Sequence, residues 1–258
     1  MSKLAAQDKF VDLSDYGRPL ATLFANQLKT TRFTPIHVTF LFGISGLIAI
    51  YCILNAHYFF AGFFIILKSI IDAADGELSR VKNTPSYTGR YLDSVFDIIL
   101  NFMFLMSICY VSEATFLWTL FAFAAIQLQG TLYNYYYVIL RNNLAGGDST
   151  SQIFERKTPI AFPNENQKSV NTLFKLYLIL YGIFDRIIYS LDKEAFRAKS
   201  FPNWFMTFLS IYGLGFQLLI IAIMLSMHLI EYIVPFFVFY SIFIVVLIGI
   251  RKINLSLE

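Results

Sequence analysis

Six long apolar runs constrain this chain more than any other feature: Pro35 to about Ala56, Tyr58 to Arg80, Gly89 to Val111, Ala114 to Arg141, Pro202 to Ser226 and Ile230 to Ile250. Each is close to or above the roughly 20 residues that a helix needs to cross a hydrocarbon core. Only 14% of the residues are charged and 57% are hydrophobic, which excludes a soluble domain. The abundant Phe and Tyr suit lipid-facing surfaces and interfacial belts. The sequence therefore predicts an all-α integral membrane protein with six transmembrane helices and an N-terminal amphipathic juxtamembrane helix.

That amphipathic helix is read in the polar segment 1–33, where Leu20, Leu23, Phe24 and Leu28 recur after Pro19 beside Arg18, Lys29 and Arg32. Such a helix lies on the anionic inner leaflet or packs on the protein's own cytosolic face, and both can hold. Residues 34–250 read as one six-helix membrane domain, followed by a tail at 251–258. Within the domain, 142–200 is polar: Gly146-Gly147-Asp148, Pro159 and Pro163 mark a cytosolic loop. The stretch 170–191 is apolar but broken by Lys175, Asp185 and Arg186, and reads as a surface helix. Lys and Arg gather at the N-terminus, the 81–90 turn, 142–200 and the C-terminus, while the connections around Asn55-Ala56-His57, Ser112-Glu113 and Met227-His228 contain none. This asymmetry puts both termini and the 72–97 region on the cytoplasmic side. No cleavable signal is expected at the N-terminus. The net charge of +3 carries no nucleic-acid signature, and Cys52 and Cys109, inside apolar runs, read as packing residues.

Four carboxylates stand where one apolar run ends and the next begins. Asp72 and Asp75 are three apart, Asp93 and Asp97 four apart, so each pair shares a helix face, with a turn at 81–88 containing Pro85 between them. Four converging anions at a membrane boundary repel strongly, and a divalent cation is the natural remedy. Hard oxygen ligands favour magnesium or manganese. Lys68, one turn before Asp72, reads as a carboxylate partner or a phosphate ligand. Asn101 continues the stripe of Asp93 and Asp97, and Gln127, Thr131, Asn134 and Arg141 fall near one face of the fourth run. That second stripe lines the same cavity or hydrogen-bonds neighbouring helices.

The pattern Asp72-x2-Asp75-Gly76-x2-Ser79-Arg80-x8-Gly89-x3-Asp93-x3-Asp97 resembles the signature of the CDP-alcohol phosphotransferases, also called the CDP-alcohol phosphatidyltransferase family, integral membrane enzymes of phospholipid synthesis. Ser79 departs from the family's usual Ala. Thr34-Pro35-Ile36-His37-Val38-Thr39 resembles the family's Thr-Pro-Asn-x-x-Thr helix start, with Ile36 in place of Asn. The resemblance implies that an alcohol hydroxyl attacks a CDP-linked phosphorus and expels CMP. It assigns metal binding to Asp72, Asp75, Asp93 and Asp97, with two ions expected, and makes Asp97 the general base. The CDP moiety would rest on Asp72, Asp75, Gly76, Ser79, Arg80, Gly89 and Asp93. Candidates for the acceptor site are Lys68, Asn101, Gln127, Asn134 and Arg141. The resemblance also implies a homodimer, a CDP-linked lipid donor and a small alcohol acceptor. The compact length is similar to members that transfer a phosphatidyl group from CDP-diacylglycerol, the family's other reaction being transfer of choline- or ethanolamine-type heads to diacylglycerol. Arg141, Arg156 and Lys157 would suit a phosphorylated acceptor. A transporter, the reading from another class, predicts polar residues through to the outer face, whereas the outer halves of the first three runs are nearly all apolar. A catalytically retired scaffold is opposed by the intact set of four acids.

Overall fold

The computed structural model describes residues 10–144, 152, 155, 157–198 and 200–254. Gly146, Gly147, Asp148, Arg156, the first nine residues and the end of the tail lie outside the described residues. All regular structure among the described residues is helical: α1 (Arg18–Leu28), α2 (Pro35–Leu54), α3 (Tyr58–Lys82), α4 (Tyr87–Ser112), α5 (Phe116–Leu144), α6 (Gln167–Leu191), α7 (Asn203–Leu209), α8 (Leu214–Ser226), α9 (Ile230–Tyr240) and α10 (Ile242–Asn254), with short 3₁₀ turns between some of them.

Among the described residues, four stretches are long and apolar enough to cross a membrane: α2, α4, α5 to Asn143, and Ile230–Ile253, which joins α9 to α10. The pair Asn203–Tyr212 and Leu214–Ser226 makes a fifth if its 50° bend is counted within one span. The sequence reads six. The difference is α3, which has the length, but Lys68, Asp72 and Asp75 lower the apolar character of its second half. The bend at Gly213 also departs from the single run expected over Pro202–Ser226. The N-terminal segment passes at this bend: the Leu13 amide donates to Ser210 Oγ at 2.9 Å. A Cβ at Gly215 would stand 1.9 Å from the Ser14 carbonyl oxygen, so only glycine admits this crossing.

α2 to α5 run alternately up and down, joined by short connections. The α3–α4 turn forms one end of the bundle, the motif end. At the far end the α2–α3 and α8–α9 connections touch through Tyr58 and His228, whose rings are 5.4 Å apart. Ala49, Ile53, Ala61, Ile65, Phe104, Ile108 and Leu225 pack toward that end into an apolar core. Between the later helices Gln129 Nε2 donates to the Phe237 carbonyl at 3.1 Å and to Ser241 Oγ at 2.9 Å, satisfying groups released where α9 breaks into α10.

α1 packs against α3 through Ala21 and Ala25, both fully buried, with Phe24 and Leu28 partly covered, while Leu20 and Leu23 stay exposed. The apolar repeat read from the sequence is thus split: the small residues face the protein and two of the leucines face outward. α6 begins beside Tyr91 near the start of α4, where Phe174 and Tyr177 pack on that ring at 5.5 and 5.4 Å. It ends at Asp192, which accepts from Arg251 Nε at 2.6 Å near the end of α10. Both ends of α6 therefore lie toward the motif end, and its exposed face carries Leu176, Ile179, Ile183, Ile187 and Leu191.

Candidate active site

The hairpin that presents the carboxylates is closed by local chemistry. Asn83 ends α3 in the left-handed region at φ 53°, and the Thr84 amide returns to the Ser79 carbonyl at 2.9 Å. The Ser79 hydroxyl donates to the Thr84 carbonyl at 2.9 Å, so the serine that departs from the family pattern ties the turn. Ser86 then caps α4, accepting the Gly89 amide at 2.8 Å. Glu165, from the loop before α6, reinforces that start: it accepts from Ser86 Oγ at 2.8 Å and from the amides of Thr88 at 2.7 Å and Tyr87 at 3.1 Å. Burial raises the pKa of Glu165, but these donors outweigh it and hold the carboxyl below its usual value. A carboxylate at a helix N-terminus also suits the dipole.

Above the turn, Asp72, Asp75 and Asp93 each bring one carboxylate oxygen within 4.8 Å of the others. Thr39 of α2 donates to Asp75 Oδ2 at 2.8 Å, which gives a site role to the last threonine of the Thr34–Thr39 helix start. His37, in the same stretch, completes a capping box with Thr34. Asp93 Oδ1 is buried with no hydrogen-bond partner. An orphaned anionic oxygen beside two further carboxylates is the donor set a hard divalent cation requires, so these residues fit magnesium or manganese.

Asp97 stands apart from that group of three. Its carboxylate bonds Lys68 Nζ, which also donates to Asp72 Oδ2 at 2.9 Å. Lys68 is fully buried and lies over the Phe42 ring at 4.6 Å. It therefore sits behind the carboxylates as their counter-charge and does not line the cavity, unlike the acceptor role considered for it. The physical reason is simple: an ammonium this deep must be paired, and two acids lie within reach.

In front of the acids opens a cavity of about 1190 Å³. Asp75, Gly76, Ser79, Arg80, Gly89, Asp93 and Asp97 line it, as do Asn101, Gln127, Asn134 and Arg141. The two polar stripes read from the sequence thus meet across one space. Gln127 is 5% exposed and its Nε2 has no hydrogen-bond partner. At Gly76 a Cβ would meet only the Arg80 guanidinium, at 3.5 Å, leaving the backbone open to the cavity. Arg80 Nη2 bonds Glu77 at 2.9 Å, and Arg18 bonds both Glu77 and Asp15. Arg141 has no carboxylate partner among the described residues, while Lys157 is exposed outside the cavity lining.

Several lining residues escape sequence reasoning. Asp12, Ser14, Asp15 and Arg18 close one side, anchored by Tyr133 donating to Asp12. Tyr177, Tyr181 and Asp185 of α6 close another, with Tyr181 donating to the Ser94 carbonyl at 2.9 Å. The one available signal was Asp185, a carboxylate interrupting an apolar stretch.

The family model described as CDP-alcohol phosphatidyltransferase matches residues 26–188, more than half of the chain, and the chain belongs to that family. No curated protein matches it. The matched span covers α2 to α5 and most of α6, which is to say every carboxylate of the motif and Asp185.

Proposed function

We propose that this member of a transferase family moves the phosphatidyl group of CDP-diacylglycerol to the hydroxyl of a small polar alcohol, releasing CMP. Membership gives the coarser statement, phosphatidyl transfer from a CDP-linked donor to an alcohol in a membrane setting. The observation that carries the finer one is the convergence of Asp72, Asp75 and Asp93 on a polar cavity at the end of an otherwise apolar bundle. A water-soluble nucleotide and a lipid tail need such a boundary.

The nucleotide side of the cavity is formed by Gly76, Ser79, Arg80 and Gly89, with open backbone at Gly76 and a guanidinium at Arg80 for phosphate oxygens. Asp72, Asp75 and Asp93 would hold one or two ions of magnesium or manganese, which when bound neutralise charge on the transferring phosphoryl group. Asp97 takes the proton of the acceptor hydroxyl. The oxygen forms its bond to phosphorus as the bond to the bridging oxygen breaks, and the electron pair leaves with CMP. Lys68 holds Asp97 toward the cavity by their ion pair and acts as a positioning residue.

Six crossings follow if α3 spans beside the five candidates, with α1 and α6 at the membrane surface. Both ends of α6 lying toward the motif end supports that reading, and the gathering of Lys and Arg there supports a cavity on the cytoplasmic side. The exposed leucines of α1 suit contact with lipid, and a homodimer remains part of the proposal.

The test is CMP release by purified protein with CDP-diacylglycerol, magnesium or manganese and a panel of alcohols, beside Asp97→Asn. Metal-dependent release that drops by on the order of 10³-fold or more in the variant is expected. Release only from CDP-choline or CDP-ethanolamine with diacylglycerol would reverse the donor assignment. Failure to bind CDP at all would sink the reading.

A further inference from the structure

Beside the main cavity, and sharing wall residues with it, lies a recess of about 20 Å³ lined by Arg90, Thr131, Asn134, Glu155, Tyr177 and Asp185, among others. Its charges do not balance locally. Arg90 bonds Glu155, to which Tyr91 also donates at 2.7 Å, so the guanidinium is committed. Asp185 has a hydrogen bond from Tyr177 but no salt-bridge partner among the described residues. Among the described residues that line the recess, two carboxylates thus face one guanidinium, and Arg90, whose salt bridge is to Glu155, reaches Asp185 only through space. The burial of Asp185, with Glu155 near it, pushes the carboxyl up to about 7, the direction expected of an acid waiting for a cation.

The surroundings suit one ligand chemistry. The Tyr177 and Tyr181 rings stack at 5.1 Å beside the carboxylate, and Tyr135 adds a third ring to the recess wall. Aromatic faces next to a buried carboxylate favour an ammonium group. Thr131 and Asn134 supply neutral hydrogen-bonding groups, while a phosphate would meet Asp185 and Glu155 as like charges. The recess has room for a group of about the size of a water molecule, which an ammonium matches. The position is right for an acceptor: Thr131, Asn134, Tyr177 and Asp185 line both the recess and the main cavity, which Asp97 also lines. An alcohol whose hydroxyl meets Asp97 can therefore extend along the same cavity toward Asp185. In the adjoining cavity the buried Gln127 Nε2, which has no partner, offers a donor to a further oxygen of the same molecule.

The geometry points to an acceptor alcohol that carries an ammonium group, seated with its nitrogen between Asp185 and the Tyr177–Tyr181 pair. This rests on the transferase reading above and runs against the phosphorylated acceptor suggested by Arg141, Arg156 and Lys157. It makes Asp185 a specificity-determining residue.

The experiment compares CMP release from CDP-diacylglycerol, with magnesium or manganese, for serine and ethanolamine, for glycerol and inositol, and for glycerol phosphate and inositol phosphate. The ammonium-bearing alcohols are expected to be the efficient acceptors. Asp185→Asn should raise their KM by roughly tenfold to a hundredfold, with kcat lowered much less and the KM for CDP-diacylglycerol held. Asp185→Glu should recover part of the loss, and retained CDP binding reports that each variant is folded. A neutral or phosphorylated alcohol as the best acceptor overturns the inference and leaves the transferase reading standing, as does an unchanged KM in Asp185→Asn. No release with any acceptor overturns both.

Discussion

At the far end of the bundle α2, α3, α4 and α8 meet through Ile53, Ala61, Ile108 and Leu225, all without solvent exposure. At the motif end the same α3 and α4 present Asp75, Gly76, Asp93 and Asp97 to a cavity large enough for two substrates. One end is held by dispersion and close approach, the other by charges that pair with each other only in part. The difference teaches where stability and chemistry reside: the apolar end fixes the helix axes, and the polar end uses that rigidity to keep like charges together.

Breaking the polar end should give the largest effect. Asp93→Asn removes one of three crowded anions, one of whose oxygens already lacks a partner. Activity is expected to fall by on the order of 10³-fold. The metal-free protein should melt at a higher temperature than wild type, because repulsion is relieved. Metal at about 100-fold over its Kd should stabilise wild type by about 2.7 kcal/mol and the variant by much less. A metal-induced rise in melting temperature equal in both proteins would show that Asp93 is no ligand.

Breaking the apolar end should do the reverse. A Cβ at Gly62 would lie 2.7 Å from the Ala222 carbonyl oxygen where α3 meets α8. Gly62→Leu is therefore expected to cost about 1–3 kcal/mol of stability. Its turnover per folded molecule should change by about twofold at most, since distant sites act nearly independently. Denaturation curves and CMP release measured on the same preparation separate the two quantities, and a large loss of turnover with intact stability would contradict the division.

The smallest effect sharpens the boundary between the ends and solvent. Glu165 holds the start of α4, and its folded-state pKa lies below the ordinary 4.5. A lowered carboxyl pKa contributes stability that is fully present above the unfolded value and lost as pH falls through the folded one. The melting temperature of wild type should therefore drop between about pH 5 and pH 3 more than that of Glu165→Gln. Parallel pH profiles would remove Glu165 from the account.

The apolar runs, the α3–α4 turn and the carboxylate spacing were legible in the sequence because each depends on residues a few positions apart. A spacing of three from Asp72 to Asp75 or of four from Asp93 to Asp97 sets a shared face wherever the helix goes. The amide stripe of Gln127 and Asn134 was legible as a stripe, though not as a cavity wall. Lys68 was harder. One turn from Asp72, it could be paired or ligand-binding, and its bond to Asp97 across 29 positions decides for pairing. The leucines of α1 suggested a buried face, but Ala21 and Ala25 are the residues small enough for close contact with α3.

By itself, then, the sequence determined that this is a helical membrane protein with a carboxylate site at one boundary, and the family to which its motif belongs. Length and hydropathy decide the first, and helical periodicity the second. Only the tertiary structure decided that the N-terminal segment walls the cavity, that a helix bends at Gly213 where this segment passes, and that α6 brings Asp185 to the cavity wall. Those features join residues between about 50 and 200 positions apart, and no local spacing encodes them: their free energy comes from surfaces that exist only once the helices have packed.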